Sequence, residues 1–226
     1  MKTSRTALLV GATGLVGGHC LELLLQDEAY ERVVTLGRRQ LPLRHAKLTQ
    51  QVIDFARLPE YAELMRAQDV FCALGTTIRQ AGSQEAFYQV DFTYTHEVAR
   101  LAQANGAEQF LLVSSLGADA RSRLFYNRVK GETEEAVGRL AFDGVQIFRP
   151  SLLLGERAQF RLGERMAEKL SRLFSFLFLG SLQKYRPVHA RTVAAAMVTV
   201  AKRQPRGVNI FESDEIRAMP SDSRRR

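Results

Sequence analysis

Hydrophobic positions in this chain fall in short β-prone runs that alternate with longer stretches of amphipathic, helical spacing. The short runs predict strands at Thr6–Val10, Arg32–Leu36, Leu48–Ile53, Val70–Ala73, Phe110–Ser114, Val145–Phe148 and near Gly207–Phe211. The stretches between them predict helices at Leu15–Gln26, Leu58–Arg66, Phe92–Asn105, Phe125–Leu140 and Thr192–Arg203. Strands that alternate with helices indicate a parallel sheet with crossover connections on both faces.

This alternation predicts an α/β fold with a Rossmann-like, doubly wound parallel sheet. The 226 residues, of which 46% are hydrophobic and 25% charged, are enough for one domain with a substantial core. Because no internal repeat or low-complexity linker interrupts the pattern, we expect a single domain over residues 1–226. Residues 151–190 are expected to form a small C-terminal segment on the substrate side or at an oligomer contact, and residues 218–226 a flexible tail.

The first predicted strand runs directly into a glycine-rich turn at residues 11–17. A strand, a tight turn and a helix leave free backbone N–H groups at the helix N-terminus, where a phosphate is favoured. A glycine turn without a ligand is the alternative, but the flanking elements favour dinucleotide binding. We expect Gly11 to permit the turn, Gly14 to admit a pyrophosphate, and Gly17 to let the helix approach the strand. The predicted cofactor-binding residues of this turn are Gly11, Thr13, Gly14, Leu15, Val16 and Gly17.

The end of the second predicted strand bears on the choice of cofactor. An NAD site places an acidic residue about twenty positions after the glycine turn, where it binds the ribose 2′-hydroxyl. Here the corresponding stretch contains Arg38 and Arg39 and no carboxylate. Arginine's fork of donors suits a 2′-phosphate, although two solvated surface arginines are the alternative. The missing acid therefore favours NADP(H) over NAD(H).

A candidate catalytic group follows the fifth predicted strand. Tyr126 and Lys130 are four positions apart on a predicted helix, so the ammonium can approach the phenol and stabilise its phenolate form for proton transfer. Ser115 could hydrogen-bond a carbonyl oxygen as that oxygen gains negative charge, and Ser114 is the alternative for this role. The tyrosine–lysine spacing is weak evidence alone, but its place after a strand of a nucleotide-binding fold strengthens it.

Several longer motifs accompany these residues. They are the glycine turn, the run from Cys72 to Thr77, the run from Ser114 to Asp119, Tyr126 with Val129–Glu132, and Phe148-Arg149-Pro150 followed by Leu152–Leu154. On these motifs the sequence resembles the short-chain dehydrogenase/reductase superfamily, and more closely its atypical branch around the Tat-interacting protein. The resemblance extends from about residue 5 to about residue 200, and the G-x-x-G-x-x-G spacing of the turn is that of the extended and atypical members.

The resemblance implies further cofactor contacts outside the glycine turn. Asp54, just past the third predicted strand, would contact adenine, although a residue there can also cap a loop. The segment Leu74–Thr76 would line the ribose side of the cofactor. Arg161 would approach the nucleotide from the C-terminal segment. The cofactor-binding residues implied outside the turn are Arg38, Arg39, Asp54, Leu74, Gly75, Thr76, Tyr126, Lys130 and Arg161.

The resemblance also implies catalytic roles. Tyr126 would be the acid/base, Lys130 would hold the nicotinamide ribose, and Ser115 would orient the substrate. Many members of the superfamily have an asparagine near the start of the fourth helix, where this chain has Asp91. An aspartate there could hold a water as asparagine does, or it could be a helix N-cap.

Composition bears on partners and location. The net charge of +8 is spread along the chain without a nucleic-acid-binding motif, so we expect no nucleic acid. The predicted helix at Leu162–Leu179 is interpreted as core packing or a pocket wall, with a homo-oligomer or weak membrane-surface contact as the alternative. Its apolar part is too short to span a bilayer. Cys20 and Cys72 are interpreted as buried thiols, which predicts a reducing, cytoplasmic location.

Together these features predict an NADPH-dependent oxidoreductase that transfers hydride between the nicotinamide cofactor and a small carbonyl or alcohol, with Tyr126 as acid/base. The alternative is a regulator or interaction protein that binds NADP(H) without turnover. The intact set of Ser115, Tyr126 and Lys130 favours the enzyme. The identity of the small-molecule substrate does not follow from the sequence.

Overall fold

The computed structural model describes residues 4–155 and 185–220. Its strands are β1 (Arg5–Val10), β2 (Tyr30–Gly37), β3 (Leu48–Val52), β4 (Asp69–Cys72), β5 (Gln109–Val113), β6 (Gly144–Arg149), β7 (Leu153–Leu154), β8 (Val188–His189) and β9 (Gly207–Glu212). Its α-helices are α1 (Leu15–Gln26), α2 (Ile78–Ala81), α3 (Gln84–Tyr88), α4 (Thr95–Ala104), α5 (Phe125–Gly138), α6 (Ala190–Arg203) and α7 (Ser213–Ala218).

Seven strands form one parallel sheet in the order β3-β2-β1-β4-β5-β6-β9. The chain starts in the middle, builds outward to β3, and returns through β4 to build the other half. This order confirms the predicted Rossmann-like, doubly wound sheet. All seven predicted strands are present, and their bounds agree within two residues. The carboxyl ends of β1 and β4, where the order reverses, are adjacent, which is where ligands bind in such sheets.

Two hydrophobic layers cover the sheet. On one face α1 and α6 pack together, and their core includes Leu24 and Met197, which are fully buried. On the other face the core includes Val98 of α4 and Val137 of α5, also fully buried. Because both faces are covered, the strands are nearly continuous hydrophobic runs instead of alternating ones. This arrangement leaves the strand ends as the accessible edges of the sheet.

The predicted helix at Leu58–Arg66 is wrong in type. Phe55–Met65 forms 3-10 turns, interrupted at Arg57, where φ is −119° and ψ is 27°. Pro59 has no backbone N–H and cannot continue an α-helical ladder, which explains the tighter and broken geometry.

The predicted helix at Phe92–Asn105 begins too late. The continuous helical stretch that leads into α4 starts at Gln84, because the Ser83 hydroxyl accepts a hydrogen bond from the backbone N–H of Ala86 at 3.1 Å and caps α3. Between α3 and α4 the residues Gln89–Tyr94 form a π-helical turn, which widens the helix by one residue.

The C-terminal segment begins with a small second sheet. β7 pairs in parallel with β8, and the Leu152 carbonyl accepts from the backbone N–H of Val188 at 2.9 Å. Arg161, the predicted helix Leu162–Leu179 and the end of the predicted tail beyond residue 220 lie outside the described residues. Of the helices that the structure describes, none combines the length and the apolar character needed to cross a membrane.

Candidate functional site

The glycine turn joins β1 to α1 at the point where the strand order reverses. Gly11 has a φ of +86°, and a Cβ added there would lie 2.4 Å from the Ala73 carbonyl oxygen. A Cβ on Gly17 would lie 2.1 Å from the Gly11 carbonyl oxygen. Side chains at these two positions would therefore push apart the end of β4, the turn and the first turn of α1.

The N-terminus of α1 is open to a ligand. Gly14 is its N-cap residue, no side chain caps it, and its first turn contains no acidic residue. Thr13 and Gly14 are exposed, whereas Leu15 is half-buried and Val16 is buried. Among the residues that the structure describes, no side chain caps these N–H groups, and such a helix end suits an anionic pyrophosphate, so the residues present fit a dinucleotide.

The predicted adenosine side of the site is built from exposed residues. Arg38 and Arg39 follow β2 and are both exposed, so their guanidinium groups are accessible to a ligand. Asp54 is also exposed, and its carboxylate accepts a hydrogen bond from the Ala56 backbone N–H at 3.0 Å. Asp54 therefore has the loop-capping role considered from the sequence, and contact with adenine stays a prediction.

Asp91 and Lys130 form a buried ion pair beside the loop that follows β4. The distance from Lys130 Nζ to Asp91 Oδ1 is 2.7 Å, and the two residues are 7% and 1% exposed. The other carboxylate oxygen accepts from the Thr76 backbone N–H at 2.9 Å. A Cβ on Gly75 would lie 3.4 Å from Asp91 Oδ1 and 3.7 Å from Lys130 Nζ, so the loop passes directly over the pair.

The charge of Lys130 is maintained in spite of its burial. Burial lowers its pKa, but the negative charge of Asp91, the nearby Tyr126 and the hydrogen bond to Asp91 raise it, and the net shift is upward. Cys72 is close to this pair at the end of β4, and burial raises the pKa of its thiol to about 11. Lys130 is therefore a protonated cation at neutral pH, and Cys72 a neutral thiol.

Tyr126 lies one turn before Lys130 on α5, as the four-residue spacing predicts. It is partly exposed, and its ring packs against that of buried Phe87, with ring centroids 5.5 Å apart. The ring is thus held by packing while part of the side chain stays accessible, as a residue that meets substrate requires.

The structure distinguishes the two candidate serines. Ser114 is buried, and its hydroxyl donates to Glu134 Oε1. Ser115 is partly exposed, and its hydroxyl has only a long contact of 3.4 Å with the Leu116 carbonyl oxygen. The geometry therefore fits Ser115 to a substrate and Ser114 to an internal hydrogen bond.

Sequence reasoning missed the network behind Ser114. Glu134 also accepts from the guanidinium of Arg149 at the end of β6, with Nε 3.0 Å from Oε1. The hydrogen bond to Glu134 raises the pKa of Arg149 above its ordinary value, although burial opposes it. The available signal was spacing, because Glu134 lies four residues after Lys130 and so on the same face of α5.

A second missed feature is Gly131. A Cβ there would lie 2.1 Å from the backbone nitrogen of Ala120. The loop after β5, which carries Ser115, therefore rests directly on α5 next to Lys130. This contact holds the serine loop and the Tyr126 helix in one arrangement.

The parallel strand order and the glycine turn at residues 11–17, which lies where that order reverses between β1 and β4, define a Rossmann protein that binds a dinucleotide. The profile of the family described as NAD(P)H-binding matches residues 11–140, and the chain belongs to this family. Rat Protein HTATIP2 is 39% identical over 183 residues, which is 79% of this chain and 72% of the rat protein. Protein FMP52, mitochondrial, from Candida glabrata is 35% identical over 207 residues, covering 89% of this chain and 87% of the fungal protein. These relatives confirm the resemblance to the Tat-interacting-protein branch of the superfamily.

Solved structures agree on the fold. The structure of MoeE5 in complex with UDP-glucose and NAD superposes with a TM-score of 0.69 and covers 93% of this chain and 79% of that chain. At 16% sequence identity this likeness shows the fold alone.

The expected cytoplasmic location is wrong by this comparison. The Candida glabrata relative and two further fungal relatives carry the word mitochondrial in their names. The prediction depended on Cys20 and Cys72, which the structure shows to be free and buried. Free thiols indicate a reducing environment, but they do not say which reducing compartment it is.

Proposed function

We propose that this protein is an NADPH-dependent oxidoreductase that reduces a small carbonyl compound, or oxidises the corresponding alcohol. The observation that carries the proposal is the position of Lys130, one turn after Tyr126 on α5, next to Gly75 of the loop that follows β4. That loop begins at Ala73, whose carbonyl oxygen lies against Gly11 of the glycine turn, and the loop that carries Ser115 rests on α5 at Gly131. Membership of the NAD(P)H-binding family supports the cofactor class. Bound NADPH would supply the hydride, so the protein's task is to place and polarise the carbonyl group.

Each residue has a defined part in this proposal. The Ser115 hydroxyl donates a hydrogen bond to the carbonyl oxygen and holds the substrate next to Tyr126. The Tyr126 hydroxyl donates a proton to that oxygen as negative charge develops on it. Lys130 holds the nicotinamide ribose, and Tyr126 becomes a phenolate once it has given up its proton. In the oxidative direction the same phenolate accepts the proton from an alcohol.

The preference for NADP(H) is part of the proposal. It is supported by the exposed pair Arg38 and Arg39 after β2 and by the lack of an acidic residue in that stretch. Two guanidinium groups present several donors to a dianionic 2′-phosphate, whereas a ribose 2′-hydroxyl gains little from them. We expect NADPH to bind more tightly than NADH by at least tenfold.

The test of the reaction follows NADPH oxidation with a panel of aldehydes and ketones. Tyr126→Phe removes the proton donor and keeps the ring against Phe87, so kcat/KM should fall at least a hundredfold while the NADPH Kd stays within twofold. The matched control is Tyr88→Phe, because Tyr88 stacks on Phe92 at 4.7 Å and has no proposed role in the reaction. Equal activity of Tyr126→Phe and wild type would overturn the mechanism. NADPH binding without turnover of any compound would instead favour the non-catalytic regulator.

The test of cofactor choice uses Arg38→Ser/Arg39→Ser. We expect a tenfold or larger rise in the NADPH Kd, which is about 1.4 kcal/mol, with little change for NADH. Arg100→Ser/Arg139→Ser removes the same charge from exposed positions on α4 and just after α5, and it controls for net charge. Parallel losses for both cofactors would contradict a specific 2′-phosphate contact.

A further inference from the structure

Three of the most exposed large apolar side chains in the described part of the chain follow neighbouring strands of the sheet. Ile78 follows β4, Leu124 follows β5 and Leu152 follows β6, and their exposed fractions are 38%, 67% and 57%. Because β4, β5 and β6 are adjacent and parallel, these three connections leave the sheet at the same edge, which bears the candidate site. We call Ile78, Leu124 and Leu152 the apolar rim. Single exposed apolar residues are ordinary, whereas a group of them at one place marks a surface for a ligand or partner.

Two residues of the apolar rim are close in the chain to groups of the candidate site. Ile78 comes two residues after Thr76, the last residue of the loop that passes over Lys130. Leu124 is the N-cap residue of α5 and precedes Tyr126 by two positions. These side chains are therefore next to the predicted cofactor loop and to the predicted proton donor.

The third residue, Leu152, lies in a segment that connects the serine loop to the glycine turn. At one end of this segment the Pro150 carbonyl accepts from the backbone N–H of Leu116, in the loop after β5, at 2.9 Å. At the other end a Cβ on Gly155 would lie 2.8 Å from Leu15 Cδ1, at the start of α1. Leu152 is thus between the loop of the proposed substrate contact and the turn of the proposed cofactor contact.

Main-chain hydrogen bonds hold the backbone beneath the apolar rim. The Leu124 carbonyl accepts from the backbone N–H of Arg128 at 3.0 Å, and the Leu152 carbonyl accepts from that of Val188 at 2.9 Å. The side chains are therefore presented to water from fixed positions. Covering them with an apolar group of a ligand would be favourable, because it removes apolar surface from water.

The surroundings of Tyr126 are apolar as well. The rings of Tyr126 and Phe125 both pack against buried Phe87, with centroid distances of 5.5 and 5.8 Å. Small-molecule sites are lined mostly by apolar and aromatic side chains, with a few polar groups that fix the orientation of the ligand. Tyr126 and Ser115 are the polar groups in the proposed reaction, and the apolar rim provides the other kind of surface.

We propose that the carbonyl substrate carries an aliphatic chain, which lies on the apolar rim while the carbonyl group contacts Ser115 and Tyr126. This inference rests on the proposed function, because that function assigns the substrate to these two residues. Arg79 and Arg123, each next to a residue of the rim, are exposed too. A chain with a neutral or anionic far end therefore fits this surface better than one with a cationic end. The substrate class is aliphatic aldehydes or ketones and the corresponding alcohols.

The first experiment measures kcat/KM for NADPH oxidation with propanal, pentanal, heptanal and nonanal, each below its solubility limit. Because the chain would be partly covered on an open rim, we expect kcat/KM to rise about twofold for each added methylene group. Leu124→Ser/Leu152→Ser should lower the ratio of the nonanal value to the propanal value by about fivefold or more. Both residues are exposed, so the variant should fold, which urea unfolding checks.

The matched control is Val208→Ser/Ile210→Ser. Val208 and Ile210 are 52% and 42% exposed, and they lie on the edge strand β9, outside the candidate site. This variant removes the same kind of exposed apolar surface, and its ratio of nonanal to propanal should equal that of wild type.

Unreactive amides separate binding of the chain from the reaction. Butanamide, hexanamide and octanamide keep a carbonyl group and a chain, and NADPH does not reduce them. Calorimetric titration of the protein with bound NADP+ gives the Kd of each amide. In wild type and in the control variant we expect the Kd to fall about twofold per methylene group, whereas in Leu124→Ser/Leu152→Ser it should change little with chain length.

The outcomes distinguish this inference from the proposed reaction. Reduction of the aldehydes at rates independent of chain length would overturn the aliphatic substrate and leave the reaction standing. Chain-length-dependent binding of the amides that is lost in Leu124→Ser/Leu152→Ser, without reduction of any aldehyde, would support the aliphatic chain and count against the reaction. An equal loss in the β9 control would overturn the assignment to the apolar rim. So would a change from dimer to monomer in Leu124→Ser/Leu152→Ser with an unchanged ratio, because a second copy of the chain would then cover the rim.

Discussion

Asp69 and Asp91 are both buried aspartates paired with a cation, and they lie at opposite edges of the same sheet. Asp69 is at the start of β4, where Arg5 contacts its two oxygens at 2.7 and 2.8 Å. Tyr30 and Gln109 donate to the same carboxylate at 2.9 and 3.0 Å. These donors come from β1, β2 and β5, so the network joins the starts of four neighbouring strands.

Asp91 has a different set of partners. Its donors are a lysine on α5 and a loop amide, and the exposed Gly75 lies next to the pair. The same chemistry therefore serves two purposes. At the amino edge, which is formed by the amino ends of the strands, the Asp69 carboxylate is enclosed by side chains from the sheet and stabilises the sheet. At the edge formed by the carboxyl ends of the strands, the Asp91 carboxylate joins Lys130 to the loop after β4, and both are predicted contacts of the cofactor.

Removing Asp69 should have the largest effect on stability. Asp69→Ala leaves Arg5 partly buried without this partner and removes the acceptor of the buried Tyr30 hydroxyl. We expect a loss of about 3 kcal/mol in the free energy of unfolding, measured by urea titration. NADPH affinity of the folded protein should stay within twofold. A loss of NADPH affinity without a loss of unfolding free energy would contradict the purely structural role assigned to Asp69.

A pair of glycine variants separates backbone strain from ligand binding. Gly11→Ala combines a φ of +86° with a Cβ 2.4 Å from the Ala73 carbonyl oxygen, so NADPH binding should fall at least a hundredfold. Gly106→Ala has the same φ at the amino edge, before β5, with nothing within 4 Å of the added Cβ. It should cost roughly 1 kcal/mol of stability and leave the Kd unchanged. Equal effects of the two variants on the Kd would show that strain alone is responsible.

The smallest predicted effect on stability concerns the burial of two thiols, those of Cys20 and Cys72. Burial raises the pKa of Cys20 to about 12 and that of Cys72 to about 11, above the ordinary thiol value near 9. The unfolded chain therefore loses these protons first, and stability that is complete below about pH 8.5 should decline as the pH rises from there. The slope is about 1.4 kcal/mol per pH unit for each thiol once the unfolded thiols are ionised.

Urea unfolding between pH 8 and 10 measures this slope. Cys72→Ser should reduce the slope of stability against pH by the contribution of one thiol. An unchanged slope would mean that Cys72 ionises alike in the folded and unfolded states. Lys130, which has Asp91 as counter-ion, should show no corresponding loss of its proton in this range.

The sequence was sufficient for the features that depend on local pattern. Continuous apolar runs gave the strands, and the glycine spacing gave the turn that joins β1 to α1, because both depend on neighbouring residues. The four-residue spacing placed Tyr126 and Lys130 on one face of α5. The loop-capping alternative for Asp54 was visible as well, since aspartate is a common cap.

Features that depend on distant residues did not follow from the sequence. Asp91 and Lys130 are 39 positions apart, and nothing local indicates that a π-helical turn brings them to 2.7 Å. Ser115 was already preferred over Ser114 on the sequence, but the hydrogen bond from Ser114 to Glu134, which engages the Ser114 hydroxyl, could not be predicted from it. Pro59 was a local signal against an α-helix, but the hydrophobic spacing of that segment outweighed it in the prediction.

The π-helical turn also bears on how such a site can change over time. A turn of this kind differs from regular helix by one inserted residue, and each residue of an α-helix advances about 100° around the axis. Deleting a single codon within Gln89–Tyr94 would rotate α3 relative to α4 by that angle and swing the carboxylate away from Lys130. One in-frame deletion would therefore separate Lys130 from its counter-ion Asp91 without altering the sheet.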